Sequence, residues 1–426
     1  MINITIRRVL GLGRPAGLCA LAVMALGVSD AGAAGFAITA QGAAASGKST
    51  AFTAQADDPS AIYYNPAGLS QLTVPEVSVG TTVVIPQTSY APSGVGNSSD
   101  EEPQTFFLPQ LYITNPLGPR VVAGLGVFAP FGLATDWPRD WDGRFQLTYA
   151  SIKAITLAPT IAWKPTEALS LGGGIGLSYV RMEQRKALDL AALFGPLTPE
   201  GSAEVTGDGY ARNFHLGALW QASEAWSVGV SYQSRIHAEF NDGKVDFTTP
   251  GFEVFFPDGG ARSEIDLPPT LRLGVLVRPV SKWNVELDAV WTGWSTLDRV
   301  VVAFDSGLPT DQTNFGWKNS MTYNLGTEYR LTDYSFLRGG FSYDATPIPS
   351  DTVGPLLPDG DRRWFSLGGG YDAVGWKTDL SYNLILFDRD KANNVGASSS
   401  TTPNNTANGF YKTMAHGIAL SLVKQF

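Results

Sequence analysis

Long stretches of the chain place an apolar side chain at every second residue. Val285, Leu287, Ala289 and Trp291 alternate with Asn284, Glu286 and Asp288, and Leu271, Leu273, Val275 and Val277 alternate with Arg272, Gly274 and Arg278. Tyr323, Leu325, Thr327 and Tyr329 stand opposite Asn324, Gly326, Glu328 and Arg330, and Trp376, Leu380, Tyr382 and Leu384 opposite Lys377, Asp379, Ser381 and Asn383. A period of two belongs to β-strands with two different faces. It predicts about fourteen strands, near 76–90, 105–115, 120–132, 146–164, 168–186, 208–221, 225–241, 262–278, 282–304, 314–331, 334–345, 361–373, 375–388 and 410–426. A soluble sandwich would alternate as well, so the connections have to decide. Tight ones, such as Asn115 to Pro119, Lys164 to Glu167 and Thr332-Asp333, interleave with much longer ones, as in a barrel with short turns on one rim and loops on the other. Trp163, Trp220, Trp226, Trp283, Tyr329, Tyr334 and Trp376 stand beside the tight turns, where an interfacial girdle would lie. The expected fold is therefore all-β: a transmembrane antiparallel β-barrel with both ends on the rim of short turns.

Composition strengthens this reading. Hydrophobic residues make up 44% and mean hydropathy is −0.01, too low for a helical bundle, and after the first 33 residues no apolar run approaches the ~20 residues a helix needs to span. A chain held in lipid without such helices must close its strands into a barrel, because lipid satisfies no free backbone group. Arg7, Arg8 and Arg14, the apolar run Ala16 to Val28 and the small-residue site Ala31-Gly32-Ala33 predict a signal peptide over 1–33 and a mature start at Ala34. Without that leader, 27 Lys and Arg face 38 Asp and Glu, a net charge of −11, which argues against nucleic acid as a partner. Cys19, the chain's one cysteine, lies in the leader, leaving the mature protein without thiol chemistry. Ala34 to Gln71 is rich in Ala, Gly and Ser and has no two-sided pattern. It is expected to plug the lumen, giving a hatch at 34–75 and a barrel at 76–426. The chain ends on Phe426 inside an alternating strand, as an assembly signal read by barrel-assembly machinery would.

Little in the sequence points to catalysis. Gly42 to Ser49 fits the phosphate-loop pattern, but no buried strand precedes it and no magnesium-binding partner follows. His215, His237 and His416 have no metal-ligand spacing, and no nucleophile-elbow signature supports a lipid hydrolase. Glu286 and Asp288 are expected to face the lumen, compensated by Arg272, Arg278 or Arg330. No catalytic residue, cofactor or metal is predicted.

Several short motifs resemble the FadL-type long-chain fatty-acid transporters. They are Ala34-Gly35-Phe36, Asp57-Asp58 and Asn65-Pro66-Ala67 at the start, then Phe131-Gly132-Leu133-Ala134-Thr135, Leu267-Pro268-Pro269, Trp291 to Ser295, Tyr343 to Pro347 and Leu357 to Arg362. None is specific alone, but their common order over nearly the whole mature length is. The resemblance implies a fourteen-stranded barrel with Asn65, Pro66 and Ala67 in its hatch. It also implies a kinked third strand at Gly132 that opens a lateral gate, and a ligand pocket near Phe36. Lys186, with Arg185 adjacent, falls where the family meets a carboxylate, and Asp344 falls in the cavity region. The family's second basic position falls near Thr313, which leaves Lys318 as the candidate substitute.

Two long loops are unusually apolar. Leu188, Leu190, Leu193, Phe194 and Leu197 could line one side of a short helix, and Phe252, Val254, Phe255 and Phe256 lie in another loop. Exposed apolar clusters mark binding surfaces, and the resemblance suggests first capture between these loops. The expected function is outer-membrane uptake of hydrophobic compounds, long-chain fatty acids first, by a monomer surrounded by outer-membrane lipid. Toluene-like monoaromatic hydrocarbons are the alternative ligand, and a lipid hydrolase the alternative of another class.

Overall fold

A two-faced strand leaves both backbone edges unpaired, so neighbours add until the first strand meets the last. The computed structural model describes residues 35–388, 391–392 and 407–426, so the leader and its cleavage site lie outside the described residues. The barrel strands are β1 (Glu76–Pro92), β2 (Phe106–Gly118), β3 (Val121–Asp136), β4 (Tyr149–Trp163), β5 (Leu169–Leu188), β6 (Gly201–Gln221), β7 (Trp226–Gln233 and Ile236–Thr248), β8 (Gly259–Leu267 and Thr270–Val280), β9 (Trp283–Thr292 and Arg299–Phe304), β10 (Asp311–Asn314 and Ser320–Arg330), β11 (Ser335–Asp344), β12 (Arg362–Ala373), β13 (Trp376–Phe387) and β14 (Gly409–Gln425). Each pairs antiparallel with the next, and β1 pairs with β14 from Glu76↔Gln425 to Pro92↔Gly409, which closes the barrel.

Boundaries differ from the sequence reading where backbone chemistry overrides alternation. The expected strand 262–278 breaks at Pro268-Pro269, two successive residues without an N–H to donate to a ladder. The expected strand 282–304 breaks at a 3₁₀ turn over Trp294–Thr296. β6 starts at Gly201 rather than 208, because Ser202 to Thr206 pair with the outer part of β7 beyond the alternating stretch.

The two faces are inverted relative to a soluble barrel. Asn213, Asp288, Asn324, Ser381 and Asn383 are buried and face inward, while Ile175, Leu216, Leu325 and Leu380 are exposed, and Leu287 keeps 57% of its surface open. Only a lipid surround makes that arrangement favourable. The seven aromatics beside the short turns are all exposed on the outer face, and Lys424 snorkels over the Trp376 ring, 4.7 Å from its centroid.

Residues 35–75 lie inside the lumen and are largely buried. They form two single-turn helices, α1 (Ala43–Ser46) and α2 (Ala61–Tyr64), and a 3₁₀ turn over Pro66–Gln71 whose first N–H groups are capped by Asn65. Asn65 also donates to the Thr53 carbonyl (2.8 Å) and the Ala218 carbonyl of β6 (3.1 Å). β9 supplies the main anchor. Asp288 Oδ2 accepts from the Phe52 and Thr53 amides (both 3.1 Å) and from the Thr53 hydroxyl (2.7 Å), and Glu286 accepts from the Ala54 and Gln55 amides. These carboxylates thus bind plug amides and, for Glu286, the ammonium of Lys48 at 3.8 Å, rather than the arginines expected across the barrel. Lys48 also donates to Gln55 (2.7 Å), so the lysine of the phosphate-loop pattern is a buried internal tie.

Candidate functional site

The wall is interrupted beside β3. From Val121 to Val127 this strand pairs with β2, ending at Leu111↔Val127. Its ladder to β4 then shifts register between Phe128 and Phe131, so that one extra residue is accommodated at Ala129-Pro130. A bulge bends a strand and frees a residue from pairing, and Pro130 brings no N–H to the ladder. Beyond the bulge β3 stays with β4 up to Asp136↔Tyr149, whereas the outer half of β2 pairs only with β1. The freed edge of β3 meets the N-terminal segment instead. Ala37 bridges to Phe131, the Ile38 amide donates to the Pro130 carbonyl (2.8 Å), and the Gly132 amide donates to the Phe36 carbonyl (2.9 Å). Gly132 therefore lies two residues past Pro130, at the point where β3 exchanges β2 for the plug.

Around Phe36 the motifs that are far apart in sequence come together. Its ring packs edge-on against Trp294 (5.0 Å between centroids) and Phe131 (6.1 Å), and tilted against Trp317 (5.8 Å). Gly35, at φ 56°, fits there because a Cβ would overlap the Trp294 indole. Arg362 Nη2 donates to the Gly35 carbonyl (3.0 Å), and its guanidinium is itself paired with Asp359 in full burial.

Phe36 borders an apolar cavity with Leu133, Ile152, Ile265, Leu297 and Trp317 among its walls. Phe315, Trp317, Leu356 and Leu357 are shared with an adjoining cavity that Lys186 also lines. Lys186 is ion-paired with Asp311 at 2.6 Å, and Thr313 lines both cavities. Arg185 turns outward to Glu183 and Glu204 (3.2 Å to Glu204) and stacks on Tyr149 at 4.7 Å. Lys318 is exposed, lines neither cavity, and enters the structure through its amide on the Pro347 carbonyl. Asp344 is buried on another cavity nearer the bulge, accepting from the Thr322 hydroxyl at 2.6 Å.

The apolar loop residues also meet. A short helix, α3 (Leu190–Phe194), is capped by Asp189. The Phe194 ring stacks on Phe252 (4.4 Å) and touches Phe255 and Phe256 (5.3 and 6.4 Å), while Leu193, Phe194 and Phe255 remain exposed. On the rim of short turns, Asp57 and Asp58 open on a polar vestibule. Among the described residues no His, Cys, Asp and Glu cluster fits a metal. Trp294, Trp317 and Arg362 do more around Phe36 than the sequence reading assigned them, because only the fold shows that three distant strands converge there.

A sequence model of the family described as outer membrane protein transport protein (OMPP1/FadL/TodX) matches residues 24–426. The chain belongs to this family. A long-chain fatty acid transport protein of Escherichia coli K12 is 24% identical to it, over 74% of this chain and 79% of that one. Among solved structures, a Pseudomonas aeruginosa FadL homologue superposes with a TM-score of 0.82 at 20% identity, covering 92% of this chain and all of the other. The P. putida toluene transporter TodX gives 0.67 at 17% identity, over 87% and 94%. The protein is thus an outer-membrane transporter for hydrophobic compounds, built on a fourteen-stranded barrel.

Proposed function

We propose that this transporter admits long-chain fatty acids. They are captured between α3 and the Phe252–Phe256 loop, held in the cavity beside Phe36 with the carboxylate toward Lys186, and released sideways where β3 leaves β2. The observation that carries this reading is an apolar cavity that shares Phe315, Trp317, Leu356 and Leu357 with a neighbouring one lined by a cation, Lys186. Burying each CH₂ contributes ~0.8 kcal/mol, so an acyl chain binds through its length while the charge sets its direction. A bound carboxylate competes with Asp311 for Lys186.

That same ion pair favours a second reading. With Lys186 neutralised by Asp311 at 2.6 Å and Thr313 in place of a second cation, the cavity also suits an uncharged aromatic hydrocarbon. Uptake of radiolabelled oleate and toluene by cells carrying the wild type or Lys186→Ala separates the two. Loss of a charge-assisted contact worth roughly 1.5–3 kcal/mol predicts about a tenfold or greater fall in oleate uptake. Toluene entry without oleate entry in the wild type would leave only the second reading standing.

A further inference from the structure

A separate lumen cavity is bordered by Ala37, Pro130 and Phe131 on the side of the gap. Arg272 of β8 reaches it from the far wall with only 5% of its surface exposed. The buried lumen arginines Arg338 and Arg362 each hold carboxylates, Arg338 at 2.6 Å from Glu328 and Arg362 at 2.5 Å from Asp359. Among the described residues Arg272 has no carboxylate within salt-bridge distance. Its guanidinium stacks on Tyr63 at 4.7 Å, and Nη1 has no acceptor.

A second orphan borders the same cavity. Trp364, 6% exposed, carries an indole Nε1–H without an acceptor. Both unmatched groups are donors and one is a cation, so the missing partner is an acceptor with negative charge. A buried charge without a counter-charge costs several kcal/mol, and a binding anion recovers that cost. Asp344 is the carboxylate on this cavity, but the Thr322 hydroxyl holds it and the cation acting on it is Arg362.

We infer that this cavity is a second, inner anion site, where Arg272 receives the carboxylate of an amphipathic acid on its way from the Phe36 cavity to the gap beside β3. The inference rests on the fatty-acid reading above, and it assigns charge selection to a residue separate from Lys186. In transit the head group would pass from one cation to the next while the chain stays in apolar surroundings.

The test compares oleate with oleyl alcohol, which has the same chain without the charge, in cells expressing the wild type, Arg272→Gln or Arg272→Lys. The ratio of oleate to oleyl alcohol uptake should fall at least tenfold in Arg272→Gln and recover in Arg272→Lys. An unchanged ratio, or an equal loss of both compounds, overturns the site. Wild-type cells that take up no oleate overturn the substrate reading and the site with it. If Arg272→Gln fails to assemble, wild-type protein photolabelled with a long-chain acid carrying a diazirine beside its carboxyl decides the matter. Labels on Tyr63, Thr270 or Trp364 support the inner site, and labels confined to Leu147 and Lys186 overturn it.

Discussion

At the scale of single residues, the lumen is held together by carboxylates that accept from plug amides. Asp288 takes three donors from Phe52 and Thr53 through one oxygen, so removing it leaves buried N–H groups with nothing in exchange. Each unmade bond of this kind costs about 1–3 kcal/mol. Asp288→Ala should therefore loosen the N-terminal segment by at least ~2 kcal/mol, read as roughly thirtyfold faster amide exchange at Phe52 and Thr53 with the β1–β14 amides unaffected. Equal acceleration throughout the barrel would show that the anchor is global instead. That Glu286 and Asp288 face inward was legible from alternation alone. Their partners were not, because the plug carries no periodic signal from which a docking position could be read. Lys186 illustrates the same limit: the family resemblance singles it out, but its neutralisation by Asp311 joins residues 125 apart in sequence.

At the scale of elements, the alternation located all fourteen strands, and most of their short-turn ends fell within a few residues. What it could not show was where a strand stops being a ladder. Pro268-Pro269 and Ala129-Pro130 both sit within strongly apolar stretches, yet one divides β8 and the other parts β3 from β2. Under the proposed lateral release, the second break has a consequence that can be tested directly. Deleting Ala129 removes the extra residue, so β3 can continue alongside β2 past Val127 and seal the wall. The shortened protein should still assemble, judged by its heat-modifiable migration, while uptake falls at least tenfold. Undiminished uptake would mean that ligand leaves by another route. The Phe194, Phe252 and Phe255 cluster was partly legible too, since apolar runs in long loops are conspicuous, but only the structure shows the two loops stacking on each other.

For the whole molecule, the decisive property is the inversion of inside and outside. Leucines such as Leu287 lie on the outer wall midway along their strands, and Asp, Asn and Ser fill the interior. Leu287→Arg should therefore destabilise the folded barrel in a bilayer by about 2–4 kcal/mol, the cost of a cation near the midplane. Reversible urea unfolding in lipid vesicles measures this, with Leu287→Ala as the milder control. A shift no larger than the control's would mean that this face does not contact lipid. Four motifs dispersed over some three hundred residues meet around Phe36 for the same global reason, since a closed cylinder brings distant strands to one point on its axis.

All seventeen residues of β1 find their partners in β14, at the opposite end of the chain. This seam is the longest-range strand pairing among the described residues, and until it forms every other strand belongs to an open sheet with two bare edges. Such a protein has no stable half. β14 must be made before the cylinder can shut, and the chain must be kept from premature self-association until then.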